Sequence, residues 1–208
     1  MNLARLLQLA SPTLPVGAYS YSGGLEAAVE AGVVHDAASA ERWIGDVLEF
    51  SMACVEAPIL LRMLSDPQAW NEVFLASRET AELRAETVQM GYSLNRLCVD
   101  LGLCEVPVAE PSYPAAFAHA AAKWKIEPDA ALQAYLWAWI ENQVMAAVKA
   151  IPLGQTDGQR ILLSLGNRIE RLVKEIIKMK DEDIVNFVPS LALLSARHET
   201  QYSRLFRS

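Results

Sequence analysis

Apolar residues recur along most of the chain at the three- and four-residue spacing of an α-helix. One stripe, with polar residues mostly on the opposite face, consists of Leu83, Thr87, Met90, Leu94, Leu97 and Leu101. A second stripe consists of Ile161, Leu165, Ile169, Leu172 and Ile176. Such spacing gathers the apolar side chains on one face of a helix, and alternating β-patterns are almost absent. The chain is therefore predicted to be all-α.

Residues that begin and end helices divide these stripes into segments. Asp66 followed by Pro67 indicates a helix start, and Thr156 with Gln159 three residues later has the spacing of a capping box. Gly102 stands where a helix is expected to end. Together these signals predict helices near residues 2–10, 24–31, 37–65, 67–77, 79–101, 114–123, 128–150, 156–179 and 189–197.

The segment 128–150 is apolar around nearly its whole circumference. A helix of this kind is buried on all sides, so we predict a single domain, residues 1–208, in which about eight to ten helices surround it. Burying a charge without a partner is costly. Glu141 and Lys149 in this segment therefore either have a functional role or emerge at the helix ends to reach water.

Composition and charge narrow the class of protein. Apolar residues make up 52% of the chain, but no apolar run approaches the roughly 18 residues of a membrane helix. The excess is expected in the core and at a subunit interface, which favours a homodimer. A net charge of −7 argues against nucleic acid as the main partner. With three scattered cysteines and no signal-peptide pattern, we expect a cytoplasmic protein that does not associate with membranes.

The most unusual local sequence is LPVGAYSYSGGLE, residues 14–26, which we call the opening loop. A phosphate-binding loop would need a lysine after the glycines and a strand before them, and a nucleophilic serine at Ser20 or Ser22 would need a G-x-S-x-G elbow. Neither pattern is present. The loop is predicted to present Tyr19 and Tyr21 to a partner; the alternative is that both tyrosines pack inward.

No other stretch carries a recognisable catalytic or metal-binding pattern. The histidines and cysteines lack metal-site spacing. The acidic residues within 78–87 have the spacing that pairs them with arginines on a solvated helix face. We therefore expect a protein that binds rather than reacts, with no catalytic residues, no resident metal and no cofactor.

The segment 197–208, which we call the C-terminal tail, is the second candidate for recognition. It combines three arginines with Tyr202, Leu205 and Phe206, and arginine and tyrosine are enriched at interface hot spots. The tail is predicted to become ordered on a partner; the alternative is that it docks on its own domain.

Three separated blocks resemble the UreF family of urease accessory proteins: LLQLASPTLPVGAYSYSGGLE (6–26), VMAAVKAIPLGQTDGQRIL (144–162) and SARHETQYSRLFRS (195–208). The resemblance runs from end to end and implies an all-α, dimeric, non-enzymatic protein. Such a protein joins a UreD-type (or UreH-type) partner and a UreG-type GTPase into a complex that activates apo-urease. In that complex, hydrolysis of GTP bound by the GTPase is coupled to delivery of nickel, which passes only transiently.

The resemblance also assigns residues. The tail would bind the UreD-type partner through Arg197, His198, Glu199, Tyr202 and Arg204. Surfaces for the GTPase or for the dimer would include Tyr19, Ser20, Tyr21, Glu26 and Lys149. An alternative is a GTPase-activating protein that supplies an arginine finger, for which Arg197, Arg204 and Arg78 are candidates.

Overall fold

The computed structural model describes residues 3–186 and 188–208, and all regular structure within them is helical. The α-helices are α1 (Leu3–Ala10), α2 (Leu25–Glu30), α3 (Ala37–Val47), α4 (Ala57–Met63), α5 (Pro67–Ala76), α6 (Ala81–Asp100), α7 (Tyr113–Lys123), α8 (Pro128–Ala150), α9 (Gln155–Ile176) and α10 (Pro189–His198). Single 3₁₀ turns lie at Ala18–Ser20 and Asp181–Asp183. The all-α prediction is confirmed; residue 2, included in the first predicted helix, lies outside the described residues.

The predicted helix 37–65 is continuous, but its middle is wound differently. Leu48–Glu56 forms a π-helical stretch that joins α3 to α4 without a break. π-Helical turns are rare and occur frequently at functional sites. Here the stretch ends at Glu56, whose carboxylate faces the interior of the bundle.

The helix-boundary predictions had different outcomes. Asp66 caps α5 as predicted, because its carboxylate accepts a hydrogen bond from the backbone N–H of Ala69 at 3.2 Å. The capping box at Thr156 is wrong, because α9 begins at Gln155 and Gly154 precedes it without any side-chain cap. The backbone oxygen of Gly154 already accepts the N–H of Gly158 at 3.2 Å, so Thr156 lies within the first turn.

The predicted central helix is confirmed as α8. It packs against α1, α2, α3, α4, α7 and α9, and Leu132, Leu136 and Ile140 are completely buried. Its two singled-out charges lie differently: Glu141 is half-buried, whereas Lys149 is exposed in the last turn.

The α6 helix is held in place by the loop 104–112 that follows it. A Cβ at Gly91 would lie 2.0 Å from the backbone oxygen of Pro111, so only glycine permits this approach. Asn95 accepts the backbone N–H of Val106 at 2.9 Å, and Thr87 accepts that of Tyr113 at 3.1 Å. With one side fixed by the loop, α6 presents another side to the C-terminal tail.

Candidate functional site

The opening loop and the C-terminal tail, which lie at opposite ends of the sequence, contact each other directly. The backbone N–H and the hydroxyl of Ser22 both donate to the backbone oxygen of Ser208, at 2.7 and 2.6 Å. The backbone N–H of Arg207 donates to the backbone oxygen of Ser20 at 2.8 Å. The two stretches singled out in the sequence therefore form one composite surface.

Glu26 anchors the tail from beneath. It lies in the first turn of α2, which starts after Gly24 in the left-handed conformation (φ +83°). Its buried carboxylate accepts the backbone N–H groups of Leu205 at 2.7 Å and of Phe206 at 2.9 Å. Buried polar groups are normally satisfied in this way, so the extended tail exchanges hydration of its backbone for bonds to one side chain.

One polar face of α6 provides the other half of the tail's binding site. Glu82 binds the Arg204 guanidinium at 2.7 Å, and the Ser208 hydroxyl donates to Glu86 at 2.5 Å. One turn further on, Gln89 accepts a hydrogen bond from the Tyr21 hydroxyl. The expectation that the acidic residues of this segment lie on a solvated face is wrong for Glu82 and Glu86, because the tail covers them.

Lys149 and Phe206 complete the contact. Phe206 is 5% exposed, and the Lys149 ammonium lies 4.4 Å from the centroid of its ring. The same ammonium group lies 3.4 Å from the backbone oxygen of Leu205 and donates to it. A cation over an aromatic face is an attractive arrangement. Lys149 thus reaches solvent at the end of α8 and also holds the tail.

A cavity of about 290 Å³ lies beneath the opening loop, between the π-helical stretch, α6 and α8. Most of its wall is apolar, and its polar residues include Glu56, Arg78, Glu86 and Glu141. Glu56 forms an ion pair with Arg78 at 3.1 Å and accepts a hydrogen bond from the Tyr135 hydroxyl. The cavity is therefore an apolar chamber with a charged strip, and Glu86 connects that strip to the tail.

The carboxyl groups of the cavity wall have altered acidities. Burial raises the pKa of Glu86 to about 7, although the hydrogen bond from Ser208 acts in the opposite direction. Burial also raises the pKa of Glu141. Burial and the nearby Glu56 carboxylate raise the pKa of Tyr135 well above its ordinary value, so its hydroxyl remains a hydrogen-bond donor near neutrality.

The described residues contain neither a metal-ligand cluster nor a membrane-spanning helix. Among residues 3–186 and 188–208, no group of three or more histidine, cysteine, aspartate or glutamate side chains is arranged to hold a metal ion. No helix in the same residues has both the length and the apolarity needed to cross a bilayer. The polar side chains of Glu26, Glu82 and Glu86 converge instead on the protein's own tail.

Comparison with known proteins gives the family. A family model described as UreF matches residues 34–166, more than half of the chain. The urease accessory protein UreF of Azoarcus sp. (strain BH72) is 56% identical to this chain, and the alignment covers 100% of this chain and 96% of that protein. The chain belongs to the UreF family. The resemblance found in the sequence is confirmed.

Further UreF relatives cover the chain equally well. The urease accessory protein UreF of Dechloromonas aromatica (strain RCB) is 53% identical, over 100% of this chain and 98% of that protein. The corresponding protein of Methylobacillus flagellatus is 50% identical with the same coverage. These full-length matches include the opening loop and the tail, both of which lie outside the span matched by the family model.

The residues assigned to partner binding in this UreF chain divide by exposure. Tyr21, Glu26 and His198 are buried, so their side chains are not available for direct contact with a partner in this conformation. The side chains available for direct contact are those of Tyr19, Ser20, Lys149, Arg197, Glu199, Tyr202 and Arg204. Their role in binding a partner stays a prediction. Glu82, Glu86 and Gln89 were missed, because spacing along α6 does not show what covers a helix face.

Proposed function

We propose that this UreF chain is a non-enzymatic scaffold of the urease maturation complex. It joins a UreD/UreH-type protein and a UreG-type GTPase, acts as a homodimer, and couples GTP hydrolysis to nickel delivery into apo-urease. The observation that carries this proposal is the composite surface, where an anchored tail presents exposed aromatic, aliphatic and cationic side chains. Membership of a family named for urease accessory proteins supplies the biological setting.

The tail has the properties of a protein-binding surface. Tyr202 is fully exposed, and Leu205 is 55% exposed, while the backbone between them is fixed through Arg204 and Glu26. Exposed tyrosine and arginine side chains are characteristic of hot spots. Because intramolecular bonds already order the tail, a partner would lose less affinity to ordering it. Tyr19, 77% exposed, extends this surface onto the opening loop.

Co-purification with the UreD-type partner tests the tail. Removing residues 197–208 is expected to abolish co-elution while far-UV circular dichroism still reports a helical protein. Tyr202→Ala is expected to weaken binding at least tenfold, since truncating a hot spot removes about 2 kcal/mol or more. Tyr92→Ala, at an exposed position on α6, is the matched control and is expected to bind normally. Normal binding by the truncated protein would contradict the assignment.

The cavity supports the nickel-transfer part of the proposal. An ion in transit needs oxygen ligands that it can leave, whereas a closed set of nitrogen and sulfur ligands would retain it. Glu141 and Glu86 place such carboxyl groups on the cavity wall. We expect Glu141→Gln to lower the nickel content of urease matured by the reconstituted complex, without preventing assembly of that complex. Glu127→Gln, at an exposed position, is the control, and equal nickel loading by both variants would exclude Glu141.

Stimulation of the GTPase by an arginine finger is the alternative. A finger needs an arginine that can reach the nucleotide, and Arg78 is poorly suited because its side chain is buried against Glu56. Arg204, held by Glu82 on the exposed tail, fits better, and Arg197 is also exposed. Single-turnover GTP hydrolysis with Arg197→Ala and Arg204→Ala decides, since loss of a true finger lowers the rate about 10³-fold or more. Small effects favour the scaffold.

A further inference from the structure

His198, at the end of α10, is fully buried, and each of its ring nitrogens faces a carboxylate. Nδ1 lies 2.7 Å from Oε2 of Glu82, and Nε2 lies 3.1 Å from Oε2 of Glu26. The three residues belong to α10, α6 and α2, so the ring links three helices at the point where the tail begins. We call Glu26, His198 and Glu82 the carboxylate–histidine cluster.

This geometry requires a proton beyond those of a neutral ring. A neutral imidazole donates through one nitrogen and accepts through the other, so it can satisfy only one of two ionised carboxylates. Glu26 also accepts the backbone N–H groups of Leu205 and Phe206, and Glu82 also accepts from Arg204. Hydrogen bonds from two backbone N–H groups favour the ionised form of Glu26, and the adjacent guanidinium favours that of Glu82, so we place the additional proton on the ring.

The charged groups around the cluster also favour a protonated ring. From the tail, the Arg204 guanidinium lies 2.7 Å from Glu82. From α8, Lys149 lies against Phe206 rather than against the carboxylates. On α6, Glu86 is the next acidic group and binds the hydroxyl of Ser208. With a protonated ring, two carboxylates face two cations; with a neutral ring, a buried negative charge lacks a partner, which is unfavourable.

We propose that Glu26, His198 and Glu82 are positioning residues that fold the tail into its partner-binding conformation and do so only with a bound proton. Docking of the tail and uptake of one proton are then a single equilibrium, so docking weakens as the pH rises. Only the step from docked tail to partner binding rests on the proposed function. The cluster itself is a property of the isolated chain.

The protonation state can be observed directly by side-chain ¹⁵N NMR of the unmodified protein. At about pH 7.5, one unit above the ordinary pKa of a histidine side chain, both ring nitrogens of His198 are expected to carry protons. The exposed ring of His35 provides an internal reference for a histidine in solvent, and His198→Gln assigns the signal. An unprotonated nitrogen on His198 at this pH overturns the proposal.

Hydrogen exchange of the tail amides tests the link to docking. After correction for intrinsic exchange, protection of the Leu205 and Phe206 amides is expected to fall as the pH rises above the ordinary pKa of a histidine side chain, about 6.5, approaching tenfold per pH unit for one linked proton. Glu82→Gln is expected to stay protected and lose this dependence, because its amide can donate to a neutral ring and its oxygen can accept from Arg204. A flat wild-type profile overturns the proposal, as does a variant whose tail is undocked at every pH.

Glu127→Gln makes the same chemical change at the exposed N-cap of α8, about 30 Å along that helix from Lys149. This variant is expected to keep the wild-type pH profile. If it lost the pH dependence, the dependence would arise from overall charge instead of the cluster, and the proposal would be overturned. Binding of the UreD-type partner, measured over the same pH range, separates the two proposals. If exchange behaves as expected but Tyr202→Ala and tail deletion leave partner binding unchanged, the proposed function fails and the proton-held tail stands.

Discussion

Leu205 and Phe206 are adjacent in the tail but point in opposite directions, so truncating each in turn tests whether the tail is docked. Phe206 is 5% exposed and Leu205 is 55% exposed. The backbone N–H groups of both residues donate to Glu26, and alanine at either position keeps these bonds. The two variants therefore differ only in which side chain is removed.

The expected effects follow from what each side chain contacts. Truncating a buried phenylalanine to alanine costs about 3–5 kcal/mol, and we take about 3 because a surface site can close around the gap. Loss of the contact between Lys149 and the Phe206 ring adds about 0.5–1 kcal/mol. Phe206→Ala should therefore shift the docking equilibrium by up to about 10²–10³-fold. Leu205→Ala should change it by no more than about 1 kcal/mol, since more than half of that side chain is already in water.

Limited proteolysis measures this shift. Trypsin needs an extended segment, so cleavage after Arg204 requires the tail to leave Glu26 and Glu82. When opening and closing are fast relative to cleavage, the rate follows the population of the open form. We expect cleavage after Arg204, followed by mass spectrometry, to be about 10²-fold faster in Phe206→Ala and nearly unchanged in Leu205→Ala. Equal rates in the two variants would refute the docked arrangement of the tail.

Three further expectations concern the fold and the cavity. Gly91→Ala should lower the free energy of unfolding by about 2 kcal/mol or more, because the new methyl group overlaps the backbone of the following loop. The control Gly166→Ala meets only the half-exposed ring of Trp137 and should be neutral or slightly stabilising. Urea titration compares the two variants. Burial raises the pKa of Glu86 from 4.5 to about 7 in the folded state. Its contribution to the free energy of unfolding should therefore be fully present below about pH 4.5 and fall by up to about 3 kcal/mol as the pH rises to about 7. Glu86→Gln should abolish this fall in urea titrations at successive pH values. Tyr135→Phe should cost about 1–3 kcal/mol in the same assay, because Glu56 loses a buried hydrogen bond.

The helices could be predicted from the sequence because helical periodicity is a local property. The segment 128–150 shows this best: an uninterrupted apolar circumference can be satisfied only by burial on all sides, and the boundaries of α8 agree with it. The π-helical stretch could not be predicted, since its residues have the same apolar character as the α-turns around it. The start of α9 was misplaced because Gly154 begins the helix through backbone geometry alone.

The parts of the candidate site could be found from the sequence, but their arrangement could not. The opening loop and the tail were each singled out by composition, and both form the surface. The sequence did not show that Glu26 and His198 are buried, because the groups that compensate their charges lie more than 170 positions away or on a different helix. Lys149 had two open interpretations, and the structure combines them: it reaches solvent and it holds the tail.

The acidic face of α6 shows why a pattern of charges does not identify its own partner. The spacing of Glu82 and Glu86 fits a solvated helix equally well, and only the arginine, histidine and hydroxyl groups of the tail distinguish the two cases. The same contacts bear on the deletion experiment. Removing residues 197–208 takes away His198 and Arg204 and leaves the carboxylates of Glu26 and Glu82 without their cations, so the truncated chain also has altered electrostatics. Substitution of the outward-facing Tyr202, which leaves these contacts intact, is therefore the sharper test of partner binding.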